Sequence, residues 1–131
     1  MNAAVQAIAE HVWTAGDYLR LRREAEGLSL RDVAIIASSS PIGEDAAIEA
    51  LKAAEENREP LASADIFRIA HFMPIMPGIY LALSQGLITP DLCIGCGCSW
   101  DDACADDLSG GRCAWANAER DLCTVCARKT P

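Results

Sequence analysis

Cysteine is missing from the first 92 residues of this 131-residue chain, and all seven cysteines fall between positions 93 and 126. That absence rules out a disulfide framework for the larger part of the molecule, which must be held by an apolar core. Aromatic residues make up only 5% against 51% hydrophobic residues, with alanine prominent. A core of such small side chains suits close-packed helices better than a sheet. Histidine occurs twice, as His11 and His71, both far in sequence from the cysteines. No Ser/His/Asp or Cys/His set, no Gly-x-Gly-x-x-Gly fingerprint and no P-loop is present, so no enzymatic activity is expected. Long apolar runs are missing too. The richest stretch, 69–83, is broken by His71, Pro74, Pro77 and Gly78 and is too short to span a bilayer. Residues 1–13 lack a basic start and a continuous apolar segment, with Glu10 and His11 interrupting it, which predicts no secretory signal and a cytoplasmic location. Cations are scarce, 11 Lys and Arg against 19 Asp and Glu. The net charge of −8 excludes long-range attraction to nucleic acid or an anionic membrane, unless a local basic patch supplies it.

What is there is concentrated at the C-terminus. Cys93, Cys96, Cys98, Cys104, Cys113, Cys123 and Cys126 include two C-x2-C pairs, Cys93/Cys96 and Cys123/Cys126, 26 residues apart. Two such knuckles supply a tetrahedron of thiolates, and the bound metal replaces a core that so few residues cannot build. A reducing cytoplasm and the odd cysteine count favour thiolate–metal bonds over disulfides. Seven sulfurs overfill one zinc and fall one short of two separate four-cysteine sites. One solution is a binuclear cluster with one bridging sulfur. Another places Cys93, Cys96, Cys123 and Cys126 on one zinc and Cys98, Cys104 and Cys113 on a second, completed by Asp101 or Asp102. Zinc, as one or two ions, is the expected cofactor, with an iron–sulfur cluster as the alternative, although the spacings match neither ferredoxin pattern. A closed thiolate site is structural, because it leaves no position for an activated water. Trp100 and Trp115 are expected to pack over the ligands with Leu108, Leu122 and Val125, or to expose one indole as an anchor for a protein partner. Asp101, Asp102, Asp106 and Asp107 read as a solvated loop.

Upstream, the pattern is a string of helices. Residues 3–12 have high helix propensity but a weak stripe. Thr14 and Asp17 form a capping-box-like start, followed by Tyr18, Leu21 and Ala25 on an inward face and Gly27 at the helix end. Ser29 and Asp32 repeat the capping signal before Leu30, Val33, Ala34 and Ala37. Ser40 and Pro41 then read as the cap and first position of an alanine-rich helix reaching about Asn57, with Ala47, Ile48, Leu51 and Ala54 inward. Ser63, Ile66, Ile69 and Ala70 begin a fourth helix, and 78–85 forms a short apolar fifth. Gly86 and Thr89-Pro90 mark a hinge. The predicted fold is therefore mainly α: a compact helical bundle over 1–88, then a small Cys-rich metal-stabilised module over 91–131.

The run Tyr18-Leu19-Arg20-Leu21-Arg22-Arg23-Glu24-Ala25-Glu26-Gly27-Leu28-Ser29-Leu30-Arg31-Asp32-Val33-Ala34 resembles the opening of lambda-repressor-like (XRE-type) helix-turn-helix domains. The resemblance implies a five-helix fold over about 16–75, with Ile48 and Leu51 anchoring a third helix that enters the major groove of double-stranded DNA. On that reading Arg20, Arg22, Arg23 and Arg31 contact phosphate, Ser38, Ser39 and Ser40 donate to it, and the protein is a transcription regulator that acts as a homodimer through 75–83. The third helix, however, opens on Ser-Ser-Ser-Pro-Ile-Gly-Glu-Asp and has Lys52 as its only cation, whereas base reading uses Arg, Lys, Asn or Gln there. The alternatives are an acidic protein-interaction factor that keeps the scaffold without binding DNA, and an iron–sulfur-dependent redox- or iron-sensing regulator. The segments Cys93-Ile94-Gly95-Cys96-Gly97-Cys98, Asp101-Asp102-Ala103-Cys104, Gly111-Arg112-Cys113-Ala114-Trp115 and Leu122-Cys123-Thr124-Val125-Cys126 resemble Cys-rich segments of small phage and prophage proteins. That likeness implies a shared module and a phage origin, not a mechanism; a protein partner through the Cys-rich module is expected on the separate ground of its tryptophans.

Overall fold

The computed structural model describes residues 13–37, 43–87, 91–99, 102–106 and 111–129. The helix expected over 3–12, the serines Ser38, Ser39 and Ser40, Pro41, the Thr89-Pro90 hinge, Trp100, Asp101, Asp107 and Leu108 lie outside them. Among the described residues the chain is mainly helical: α1 (Ala15–Ala25), α2 (Leu30–Ala37), α3 (Glu44–Glu55), α4 (Ser63–Ile69), α5 (Pro77–Ser84) and α6 (Thr124–Lys129). A two-stranded antiparallel ladder, β1 (Ala105–Asp106) and β2 (Gly111–Arg112), pairs Ala105 with Arg112 and Asp106 with Gly111.

Local chemistry sets the first two helices. The Thr14 hydroxyl accepts from the Asp17 backbone N–H at 3.1 Å and starts α1. Gly27, at φ +69°, ends it in a Schellman turn: its N–H reaches the Glu24 carbonyl at 3.0 Å and the Leu28 N–H reaches that of Arg23 at 3.2 Å. Ser29 and Asp32 then cap α2 reciprocally, Asp32 N–H to the Ser29 hydroxyl at 3.1 Å and Ser29 N–H to the Asp32 carboxylate at 3.0 Å. The Ser29 backbone N–H holds the Asp32 carboxyl below its ordinary range.

The core comes from small and branched side chains: Val33, Ala34 and Ala37 of α2, Ala47, Leu51 and Ala54 of α3, Ile66 and Ile69 of α4, Ile79 and Tyr80 of α5. Ile48 and Leu30 pack against it, half-buried. Helix α1 contacts α3 and α5, α2 contacts α3 and α4, and α4 contacts α5. The expected inward face of α1 is corrected. Ala15, Tyr18, Leu19 and Arg22 are buried, whereas Ala25 is exposed and Leu21 only half-buried. Positions 15, 18, 19 and 22 follow the i, i+3, i+4, i+7 spacing of one helical face, and the Arg at the fourth position disguised it. The apolar segment offered as a dimer surface supplies Ile75, Ile79 and Tyr80 to the chain's own core.

Both tyrosines are buried with their hydroxyls engaged. Tyr80 accepts from the Leu61 N–H at 2.9 Å, and Tyr18 accepts from the Met76 N–H at 2.9 Å. Asn57, at φ +61°, closes α3 and ties it to α1: its carbonyl accepts from Gly16 N–H at 2.8 Å and its amide donates to the Thr14 hydroxyl at 3.0 Å. The two helices meet so closely at Gly16 that a Cβ there would lie 2.7 Å from the Ala54 carbonyl oxygen. Gly16→Ala is therefore expected to destabilise the bundle by about 2 kcal/mol despite alanine's better helix propensity, read as a lower urea midpoint. An unchanged midpoint would contradict this packing.

Candidate metal centre

The C-terminal segment wraps its cysteines around a common point. A turn at Cys93–Cys98 is closed by Gly97 N–H to the Cys93 carbonyl at 2.7 Å and Cys93 N–H to the Cys98 carbonyl at 2.9 Å. The β1–β2 ladder brings Cys104 and Cys113 side by side through Cys113 N–H to the Cys104 carbonyl at 2.8 Å. A bridge between Trp115 and Cys123 then delivers Cys123 and Cys126 at the start of α6. None of the seven cysteines is in a disulfide, and all but Cys104 are buried. Trp115, Leu122 and Val125 pack around them, as expected for three of the five apolar residues assigned to that role.

Two sets of four sulfurs lie mutually within 4.8 Å: Cys93, Cys96, Cys98 and Cys123, and Cys98, Cys104, Cys113 and Cys123. These sets differ from the second of the two expected arrangements: Cys98 stands where that arrangement put Cys126, which lies beside the first set near Gly95. Among the described residues Cys123, and not Asp102, completes the second set; Asp101 lies outside them. Tetrahedral bonds of about 2.3 Å separate sulfurs by roughly 3.8 Å. The Cys96–Cys123 and Cys98–Cys113 separations are 3.9 and 3.7 Å. Backbone N–H groups point at sulfur as they do in metal knuckles: Gly95 and Cys123 to Cys93 at 3.3 and 3.4 Å, Cys104 to Cys113 at 3.2 Å, Cys126 to Cys123 at 3.5 Å. The donor set thus fits a thiophilic ion.

Crowding also governs the protons. Hydrogen bonds from the Cys96 and Cys98 thiols hold Cys93 and Cys104 well below the ordinary thiol range, with the Arg22 guanidinium adding to the effect at Cys104. The same contacts push Cys96 and Cys98 up, while burial pushes Cys113 up and Cys126 up to about 12. A cation bound among these sulfurs would replace the neighbouring thiols as the partner of each thiolate and expel their protons.

Arg22 joins this centre to the bundle. Its side chain is fully buried. Nε donates to the Pro74 carbonyl at 2.8 Å, Nη1 donates to the Cys96 carbonyl at 3.0 Å, and Nη1 also reaches the Cys104 sulfur at 3.9 Å. Asp102 lies 3.7 Å from Nε and accepts from the Tyr18 hydroxyl at 3.2 Å, from Ser99 N–H at 2.8 Å and from the Ser99 hydroxyl. Burial, reinforced by the Asp102 charge, raises the Tyr18 phenol. Gly97, at φ +76°, packs on the same face of α1, where a Cβ would sit 3.2 Å from Arg22 Cδ. Leu92, next to the first knuckle, belongs to the bundle's core. A groove of about 410 Å3 between α1 and the module, lined by Leu21, Glu24, Cys96, Cys104 and Lys129, leads from solvent to the sulfurs.

Expectations are overturned for Arg22, Asp102 and Asp106. Arg22 cannot contact phosphate, because it is enclosed between α1 and the cysteines. Arg23 forms a two-point ion pair with Glu55 at 2.6 and 2.9 Å and donates to the Leu28 carbonyl at 2.9 Å. Arg20 pairs with Glu24 at 3.1 Å and Asp17 at 3.6 Å, and Arg31 pairs with Glu44. Asp102 and Asp106 are buried rather than solvated, Asp106 being paired with Arg128. His71 is exposed on the bundle. The series 15, 18, 19, 22 was the signal that could have placed Arg22 inside; nothing local marked Asp102 as its partner.

A scan against family models, a search of curated proteins and a search of solved structures each gave no match.

Arg22→Met in the metal-loaded protein is expected to cost about 3–5 kcal/mol, since it leaves Asp102 buried without its cation. Combining it with Asp102→Asn should cost less than the two single losses added, measured by denaturant unfolding as a double-mutant cycle. Strict additivity would mean that the pair does not couple module to bundle.

Proposed function

We propose that this chain is an acidic protein-interaction factor whose cysteine tail is folded by thiolate-bound zinc, and that it keeps a helix-turn-helix-like scaffold without reading DNA. The observation that carries this reading is the loss of half of the four-arginine cluster that phosphate would need: Arg22 is buried and Arg23 is bound at two points by Glu55, which leaves Arg20 and Arg31 at the surface. The helix that would enter the groove exposes Glu44, Asp45 and Glu49 beside its single cation Lys52, which repels a polyanion and suits a basic protein surface. Exposed Ile35, Phe67 and Phe72 supply apolar contact area.

Zinc is the ion that best fits an all-thiolate, buried set with N–H donors on the sulfurs; neither cysteine spacing nor the two overlapping sets follow a ferredoxin pattern. Four sulfurs around an ion leave no open coordination position, so the centre is given a structural role and no catalytic one.

A second reading, a DNA-binding regulator of the phage or prophage kind, draws on the Schellman turn and capping box between α1 and α2 and on the packing of α2 against α3. Arg20 and Arg31 are its remaining surface cations.

Fluorescence anisotropy with duplex DNA separates the two. The interaction factor gives no saturable binding at low salt. A regulator neutralising about six phosphates would bind and lose roughly 10³-fold in affinity between about 50 and 200 mM salt. That steep dependence would overturn the proposed function.

A further inference from the structure

We infer that the module holds two metal ions that share Cys98 and Cys123, a binuclear site built from six of the seven cysteines. This rests on the proposal that the tail is metal-organised, and it adds how many ions are held and by which sulfurs.

The overlap of the two four-sulfur sets is the starting point. Cys98 and Cys123 belong to both; Cys93 and Cys96 belong only to the first, Cys104 and Cys113 only to the second. A single ion takes four sulfurs and would leave two thiols of the other set crowded against it. Two independent four-thiolate ions need more sulfurs than the seven present. Sharing two sulfurs completes both tetrahedra with the six members of the two sets, Cys126 standing as a hydrogen-bonded neighbour of Cys93 and Cys96.

Three further features fit. A small, half-open cavity borders Cys98, Cys113 and Cys123, three members of the second set, and its walls are otherwise mostly apolar, with Ala103, Ala114 and Trp115 beside Ser99. The described hydrogen-bond donors fall mainly on sulfurs of one set only: two on Cys93, one on Cys113 and the Arg22 guanidinium on Cys104, against one on the shared Cys123. A thiolate that binds two cations has given up more of its charge and is the poorer acceptor, so donors belong on the unshared sulfurs. Charge agrees as well. Two divalent ions on six thiolates leave two negative charges, half of what two separate four-thiolate sites would leave. The buried Arg22, whose Nη2 lacks a described hydrogen-bond partner, stands beside Cys104 and Cys96 to offset part of it.

The test loads the full chain with cadmium enriched in its spin-half isotope and records cadmium–proton correlations, with the bound metal counted by mass spectrometry under native conditions. The expected result is two cadmium resonances of equal intensity. The Cβ protons of Cys98 and Cys123 should each correlate with both, and those of Cys93, Cys96, Cys104 and Cys113 with one. A single resonance with one bound ion, or two resonances that have no cysteine in common, would overturn the shared site while leaving a metal-organised tail. A chain that takes up no cadmium at all would instead remove the reading beneath it. Because the unaltered sequence is used, no result is confused with a variant that fails to fold.

Discussion

Buried sulfur is the constraint on which this molecule turns. Six cysteines are packed into two overlapping groups whose members all lie within 4.8 Å of one another, and most are shielded from water. Thiols gain little from one another, and thiolates that close repel. A cation at their centre would turn that crowding into cohesion, for a segment whose regular structure among the described residues amounts to a two-residue ladder and a six-residue helix. The tight turn at Cys93–Cys98 and the N–H groups aimed at sulfur suit such a centre.

Arg22 carries the constraint into the rest of the chain. A fully buried guanidinium is costly unless its surroundings answer it, and here they come from both parts of the molecule: the Pro74 carbonyl from the bundle, the Cys96 carbonyl and Asp102 from the module. Tyr18 adds a bridge from the same helix face, donating to Asp102 while accepting from Met76. The cysteine tail is thus seated on α1, and Arg22, one of the residues that DNA binding would need outward, is occupied in seating it. This is the physical reason for preferring a protein partner over a nucleic acid one.

Much of the bundle was legible beforehand. Thr14, Ser29 and Gly27 marked the ends of helices by local hydrogen bonding, and the alanine-rich stripe of Ala47, Leu51 and Ala54 followed helical periodicity. The cysteine spacing likewise pointed to the clustering of sulfurs that the structure shows. What could not be read was which sulfurs meet: the paired knuckles suggested Cys126 in the first set, but the turn at Gly97 swings Cys98 into it instead. Long-range polar contacts were equally hidden. Arg22 and Asp102 lie 80 positions apart, and each taken alone looked like a surface charge. Asn57 reads as an ordinary helix end until its amide is seen to reach Thr14 and Gly16.

The claim that a thiolate-bound ion organises the tail and, through Arg22, braces α1 is tested most directly by amide hydrogen exchange with and without a strong chelator. Removal of the ion should abolish protection across 91–129 and weaken it in α1 around Tyr18 to Arg22, while α2 to α4 keep theirs. If protection in the tail is the same in both states, the cysteines are not held by metal and the account fails.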